Sequence, residues 1–170
     1  MREVRLEAVR VDIQTNTPVL ILKEVDGLGR SLPIYIGPPE AAAIAMFLQG
    51  VEPPRPLTHD LIKNLFDLVD LSLEKVVITE LRDKIFYAEL HIITNQKLLA
   101  LSARPSDAVA VALRMGAPIY VNDDLIEEEG ILISVESFES PEPEENPDIL
   151  VGEFREFLDT VKPEDFGKAQ

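Results

Sequence analysis

The chain matches itself at an offset of 67 residues. Pro38-Pro39-Glu40-Ala41-Ala42-Ala43-Ile44-Ala45-Met46 is answered by Pro105-Ser106-Asp107-Ala108-Val109-Ala110-Val111-Ala112-Leu113. The same offset pairs Leu6-Glu7 with Leu73-Glu74, Val9 with Val76, Val11 with Ile78, Leu32 with Leu99 and Ile34 with Leu101. Such a match constrains the fold to two units of one build packed together. It also sets Glu40 and Asp107 at equivalent places, each opening an alanine-rich helix that follows a strand. A pseudo-two-fold axis between the units is expected to bring these two acids near each other.

Each unit reads as β-β-β-α. Residues 4–13 and 18–25 are rich in Val, Ile and Leu and are separated by Thr15-Asn16-Thr17-Pro18, which is turn chemistry. A third strand over 32–36 stops at Gly37-Pro38-Pro39, and a helix follows from about Glu40 to Gln49, closed by Gly50. The connector Val51-Glu52-Pro53-Pro54-Arg55-Pro56 cannot be helical. A second helix then opens with Thr58 as N-cap and Asp60 in its first turn.

The pattern returns with strands near 74–81, 84–93 and 97–102 and a helix over 106–115, so the units span about 4–50 and 71–116. Alternation in the middle strand puts His91 on its less buried face. A short strand at 119–121, an acidic helix over 123–129 and a strand around 131–135 follow. The expected fold is α+β: one compact domain over residues 1–135 with a mixed, mostly antiparallel sheet. An acidic, proline-rich linker over 136–147 leads to a C-terminal helical tail over 148–170. Both alanine-rich helices are apolar nearly all round, which predicts central burial.

The net charge of −15 is unevenly spread: residues 1–122 carry 15 acidic and 13 basic side chains, and residues 123–170 carry 16 and 3. A nearly neutral body with an acidic end lacks the basic footprint of an affinity-driven nucleic-acid binder, so any contact with nucleic acid must be local. There is no cysteine, which excludes thiol catalysis and Cys-ligated zinc. The longest strongly apolar run, Ala41–Leu48, is too short to span a bilayer, and the charged start lacks a signal-peptide core. These features predict a soluble, cytoplasmic protein with no membrane partner.

Four clusters carry possible chemistry. Arg55-Pro56-Leu57-Thr58-His59-Asp60 offers a histidine as base or ligand, with Asp60 as ligand or orienting group. The plainer use is a capped helix start. Arg104-Pro105-Ser106-Asp107 offers a guanidinium for phosphate and a carboxylate for a cation. Against that, Ser106 as cap and Asp107 at the helix dipole account for the same residues. Glu40 has the same dual reading. Asn122-Asp123-Asp124 offers oxygen ligands, or a solvated turn.

Leu32-Pro33-Ile34-Tyr35-Ile36-Gly37 with Glu40-Ala41, Pro54-Arg55-Pro56-Leu57-Thr58-His59-Asp60-Leu61, Phe86-Tyr87-Ala88, Arg104-Pro105-Ser106-Asp107-Ala108 and Gly116-Ala117-Pro118-Ile119-Tyr120-Val121 together resemble the bifunctional nuclease domain. The resemblance covers about residues 1–135. It implies a compact α+β domain that associates with itself and a nuclease activity on DNA and RNA. For that chemistry the expected catalytic groups are Glu40, His59, Asp60 and Asp107. Arg55, Thr58, Arg104 and Ser106 are expected to hold substrate, and Glu40, Asp60 and Asp107 to bind Mg²⁺ or Mn²⁺. The competing expectation is a non-catalytic, oligomeric module that binds a small anion or a protein.

Overall fold

A computed structural model of the chain describes residues 1–94 and 97–132. The expected linker over 136–147, the tail helix and most of the strand around 131–135 lie outside the described residues. Strands β1 (Arg2–Asp12), β2 (Thr17–Glu24) and β3 (Ser31–Tyr35) precede helices α1 (Pro38–Leu48) and α2 (Thr58–Leu68). Strands β4 (Ser72–Arg82), β5 (Ile85–Thr94) and β6 (Lys97–Ala103) then lead to α3 (Pro105–Met115), β7 (Ile119–Val121) and α4 (Asp123–Glu129).

The strands form one seven-stranded sheet in the order β3-β2-β1-β7-β4-β5-β6. Two antiparallel meanders, β1-β2-β3 and β4-β5-β6, flank the short β7, which pairs antiparallel with β1 and parallel with β4. The sheet is therefore mixed and mostly antiparallel. Turn chemistry fixes each meander. Asp12 Oδ1 accepts the N–H of Gln14 at 2.9 Å in the first hairpin. In the β4–β5 turn Asp83 and Lys84 both hold positive φ (51° and 64°), the twist a two-residue hairpin demands. Register slips at Leu6/Ala8 in β1 and at Leu73/Lys75 in β4, each time across a glutamate. Both slips are single-residue bulges that bend their strand, and β4 carries another at Ile78/Glu80 with no counterpart in β1.

Leu20, Leu22, Leu32, Val76 and Ile78 from the sheet and Ile44, Val109 and Ile126 from the helices have no appreciable exposure. Each such side chain contributes about 1.5–3 kcal/mol through burial. The two alanine-rich helices are not equivalent in this core. α3 packs against β4 and β5 with α1 and α2 on either side, and eight of its eleven residues are buried. In α1 only Ala41, Ala43 and Ile44 are buried, and Met46, Phe47 and Leu48 are exposed. Central burial thus holds for α3 and fails for α1. α3 is covered by two helices, and among the described residues the C-terminal turn of α1 has no such cover. Among the described residues no helix is long and apolar enough to cross a membrane.

Candidate functional site

Three helix starts meet at one place. Each carries an acid at its third residue, where exposed N–H groups and the helix dipole favour negative charge: Glu40 in α1, Asp60 in α2 and Asp107 in α3. Pro38 and Pro105 sit in the first turns of α1 and α3, where a missing N–H costs nothing. None of the three starts has a side-chain cap from its N-cap residue. The capping positions are Gly37, Leu57 and Arg104, so Thr58 and Ser106 are not the caps expected from sequence but lie inside their helices.

Arg104 ties two of the acids together. Its Nη2 lies 2.9 Å from Glu40 Oε1 and 3.2 Å from Asp107 Oδ1, and its Nε donates to Asp107 Oδ2 at 2.6 Å. His59 approaches the same carboxylate from α2, with Nε2 3.1 Å from Asp107 Oδ1. Burial pushes the Asp107 carboxyl up, but the hydrogen bonds from Arg104 and His59 outweigh it and hold the carboxyl below its ordinary value. An ionised Asp107 accepts only, so His59 Nε2 is the donor and carries the proton. His59 Nδ1 is buried and has no hydrogen-bond partner among the described residues. The histidine is therefore a fixed orienting group for Asp107 in this arrangement.

Glu40, His59, Arg104, Asp107 and Thr58 line a cavity of about 190 Å³. Arg104 is the most exposed of its four charged or titratable groups, with 67% of its side chain accessible, against 27% for Asp107, 15% for Glu40 and 7% for His59. Gly37 makes the Glu40 position available. A Cβ built there would come within 2.2 Å of Glu40 Oε2, so glycine lets the carboxylate fold back toward its own helix start.

The remaining expected residues lie elsewhere. Asp60 turns away from the cavity, accepting the Leu57 N–H at 2.9 Å and Arg114 Nε at 2.5 Å. Burial raises its carboxyl, and the Arg114 and Leu57 hydrogen bonds bring it below its ordinary value. Arg55 is exposed and has no polar partner among the described residues. Ser106 is buried and lines a neighbouring cleft together with Arg104. Asn122 donates to the Thr79 carbonyl, and Asp123 pairs with Arg2 and the Met1 amino group, so that cluster serves the fold.

Among the described residues no three His, Asp or Glu side chains converge as ligands for one ion. As placed, Glu40 and Asp107 already share the Arg104 guanidinium. The donor set does not fit a resident Mg²⁺ or Mn²⁺. Sequence reasoning missed Arg114, whose guanidinium is buried beneath Asp60 and donates to the carbonyls of Ala110 and Ala43. One signal was available: an arginine in the last turn of a helix that is apolar from Ala108 to Leu113.

The fold and site define an α+β domain that gathers a His–Asp pair, an arginine and a second acid at converging helix starts. The profile of the Bifunctional nuclease domain matches residues 20–134, and the chain belongs to that family. It is 51% identical over 166 residues to an uncharacterized protein of Mycobacterium tuberculosis, covering 98% of both chains. Bifunctional nuclease 1 of Arabidopsis thaliana is 27% identical over 119 residues, which is 68% of this chain and 37% of the plant protein. Bifunctional nuclease 1 of Oryza sativa subsp. japonica is 26% identical over 117 residues, 67% of this chain and 35% of that one.

Proposed function

We propose that the Glu40–Arg104–Asp107–His59 cluster hydrolyses phosphodiester bonds of DNA and RNA. The supporting observation is an exposed guanidinium held between two carboxylates, with an oriented His–Asp pair behind it, at three helix starts. Arg104 takes the phosphate, and the helix dipoles offset its charge. Moving Arg104 onto phosphate removes one of the two contacts that oppose burial at Asp107, so the carboxylate becomes a stronger base. Asp107, positioned by the His59 N–H, takes a proton from water as the water oxygen attacks phosphorus; the bond to the leaving oxygen breaks, and that oxygen takes its proton from solvent. Glu40 holds Arg104 in the resting protein. Thr58 extends the phosphate contacts along the rim. A divalent ion enters this scheme only by displacing Arg104, and EDTA tests its part.

The experiment is cleavage of single-stranded DNA and RNA by purified protein, with Asp107→Asn and His59→Ala compared with wild type. Each variant is expected to lose about tenfold or more in rate. Wild-type rates in both variants would mean that a contaminant does the cutting. The enclosed Nδ1 of His59 and the missing ligand cluster favour a second reading, a non-catalytic module that binds a small anion. Binding of phosphate or a nucleotide without any cleavage selects it.

Two further proposals concern assembly. The matching bulges and the 67-residue spacing of α1 and α3 support descent of both halves from one duplicated unit. The edge strand β6 exposes Leu98, Leu99 and Leu101, which supports pairing with a second copy of this chain. Light scattering should show an oligomer that Leu99→Lys with Leu101→Lys dissociates. A monomeric wild type refutes the pairing.

A further inference from the structure

Arg104 stands between two cavities, and the second is the larger at about 290 Å³. It lies between the end of β3, the β4–β5 turn and the start of α3, with Tyr35, Lys84, Phe86, Arg104 and Ser106 on its walls. The edge strand β3 and the turn between β4 and β5 reach this cleft from separate parts of the sheet.

Ser106 is 6% exposed, and its hydroxyl has no hydrogen-bond partner among the described residues. That hydroxyl is not enclosed: it opens onto the cleft, where it can meet an acceptor or donor. It sits in the first turn of α3, where N–H groups point outward without a side-chain cap. Lys84 is exposed at the turn and has no ion-pair partner among the described residues. Tyr35 is 59% exposed, and its hydroxyl is anchored 2.9 Å from Asp12 Oδ2, which fixes the ring without covering it. Phe86 packs one side on the core and lines the cleft with the other.

We infer that this cleft binds one nucleotide unit of a single-stranded chain, beside the phosphate held by Arg104. The base lies against Tyr35 and Phe86, and the adjoining phosphate meets Ser106, the α3 start and Lys84. The volume is at the small end for a ligand site and suits one unit rather than a duplex. Arg104 with Glu40 and Asp107 sums to a net negative charge, so Arg104 alone cannot attract a phosphate. Lys84 and the helix start supply the missing positive potential. This inference rests on the phosphodiester reading above.

The test is fluorescence anisotropy with a fluorescein-labelled single-stranded oligothymidylate in EDTA, alongside the cleavage assay. Tyr35→Leu should weaken binding by about fivefold or more, since stacking contributes that much per base. Lys84→Gln should weaken it too and flatten the slope of log affinity on log salt by about 0.7. Ser106→Ala should weaken it by about threefold. Tyr35→Phe keeps the ring and should bind within about twofold of wild type, which separates stacking from folding. Lys63→Gln, at a different cleft, should change nothing.

Unchanged binding in Tyr35→Leu and Lys84→Gln, with cleavage that still depends on Asp107, overturns the subsite and leaves the nuclease reading standing. Weakened binding in both, with no cleavage by any protein, keeps the subsite and removes the nuclease reading. Competition by inorganic phosphate as strong as by thymidine monophosphate overturns the base platform.

Discussion

Asp60→Asn separates a structural acid from a catalytic one. The wild-type carboxylate is the only acid paired with Arg114 among the described residues. The Arg114 side chain is 4% exposed, and that of Asp60 28%. Removing one partner of a buried pair costs about 3–5 kcal/mol. Here the guanidinium keeps the carbonyls of Ala110 at 3.1 Å and Ala43 at 3.0 Å, and it keeps the Phe47 ring at 5.2 Å. Asparagine also still offers one oxygen, so the expected loss is about 2–3 kcal/mol. In a chain of this size that lowers Tm by about 4–12 °C, read by calorimetry at pH 7. Asp60→Asn combined with Arg114→Met leaves no orphan charge and should cost at least about 1 kcal/mol less than the separate losses combined. A variant that melts with wild type yet no longer cleaves or binds oligonucleotide refutes the assignment and returns Asp60 to the reacting centre.

Gly37→Ala should displace the Glu40 carboxylate from Arg104 while changing stability by less than about 1 kcal/mol, because only the end of a flexible side chain must move. Oligonucleotide affinity and Tm measured together check it; a large fall in Tm with unchanged affinity contradicts it. The carboxyls of Glu24, Asp60 and Asp107 all lie below their ordinary values, Glu24 first through its hydrogen bond to Arg30. A depressed carboxyl stabilises the fold above its unfolded pKa of about 4, and that stabilisation is lost as pH falls through the lower folded values. Tm should therefore drop below about pH 4, and less steeply in Asp60→Asn. A flat Tm over that range would show that these pairs do not stabilise the fold. Arg104→Lys keeps the charge but loses the geometry that joins Glu40 to Asp107, and should reduce cleavage by about tenfold. A rate equal to wild type shows that the charge alone suffices.

Over the described residues the sequence was enough to determine the elements and their order. Alternation, turn residues and proline placement are local, so the strands, α1 and α3 and the acid at each helix start were legible. The chain also displayed His91 on the less buried face, where 19% of its side chain is accessible. What it could not carry was direction. Glu40, Asp60 and Asp107 occupy the same position in three helices, yet two meet at Arg104 and one turns to Arg114. That division depends on α1, α2 and α3 packing against one another, with partners 48 to 71 residues apart. Composition likewise made α1 and α3 twins, and only the tertiary arrangement buried one and left the end of the other open. Local chemistry is written in short spacings, whereas the choice of partner is set by which helices stand over which strands.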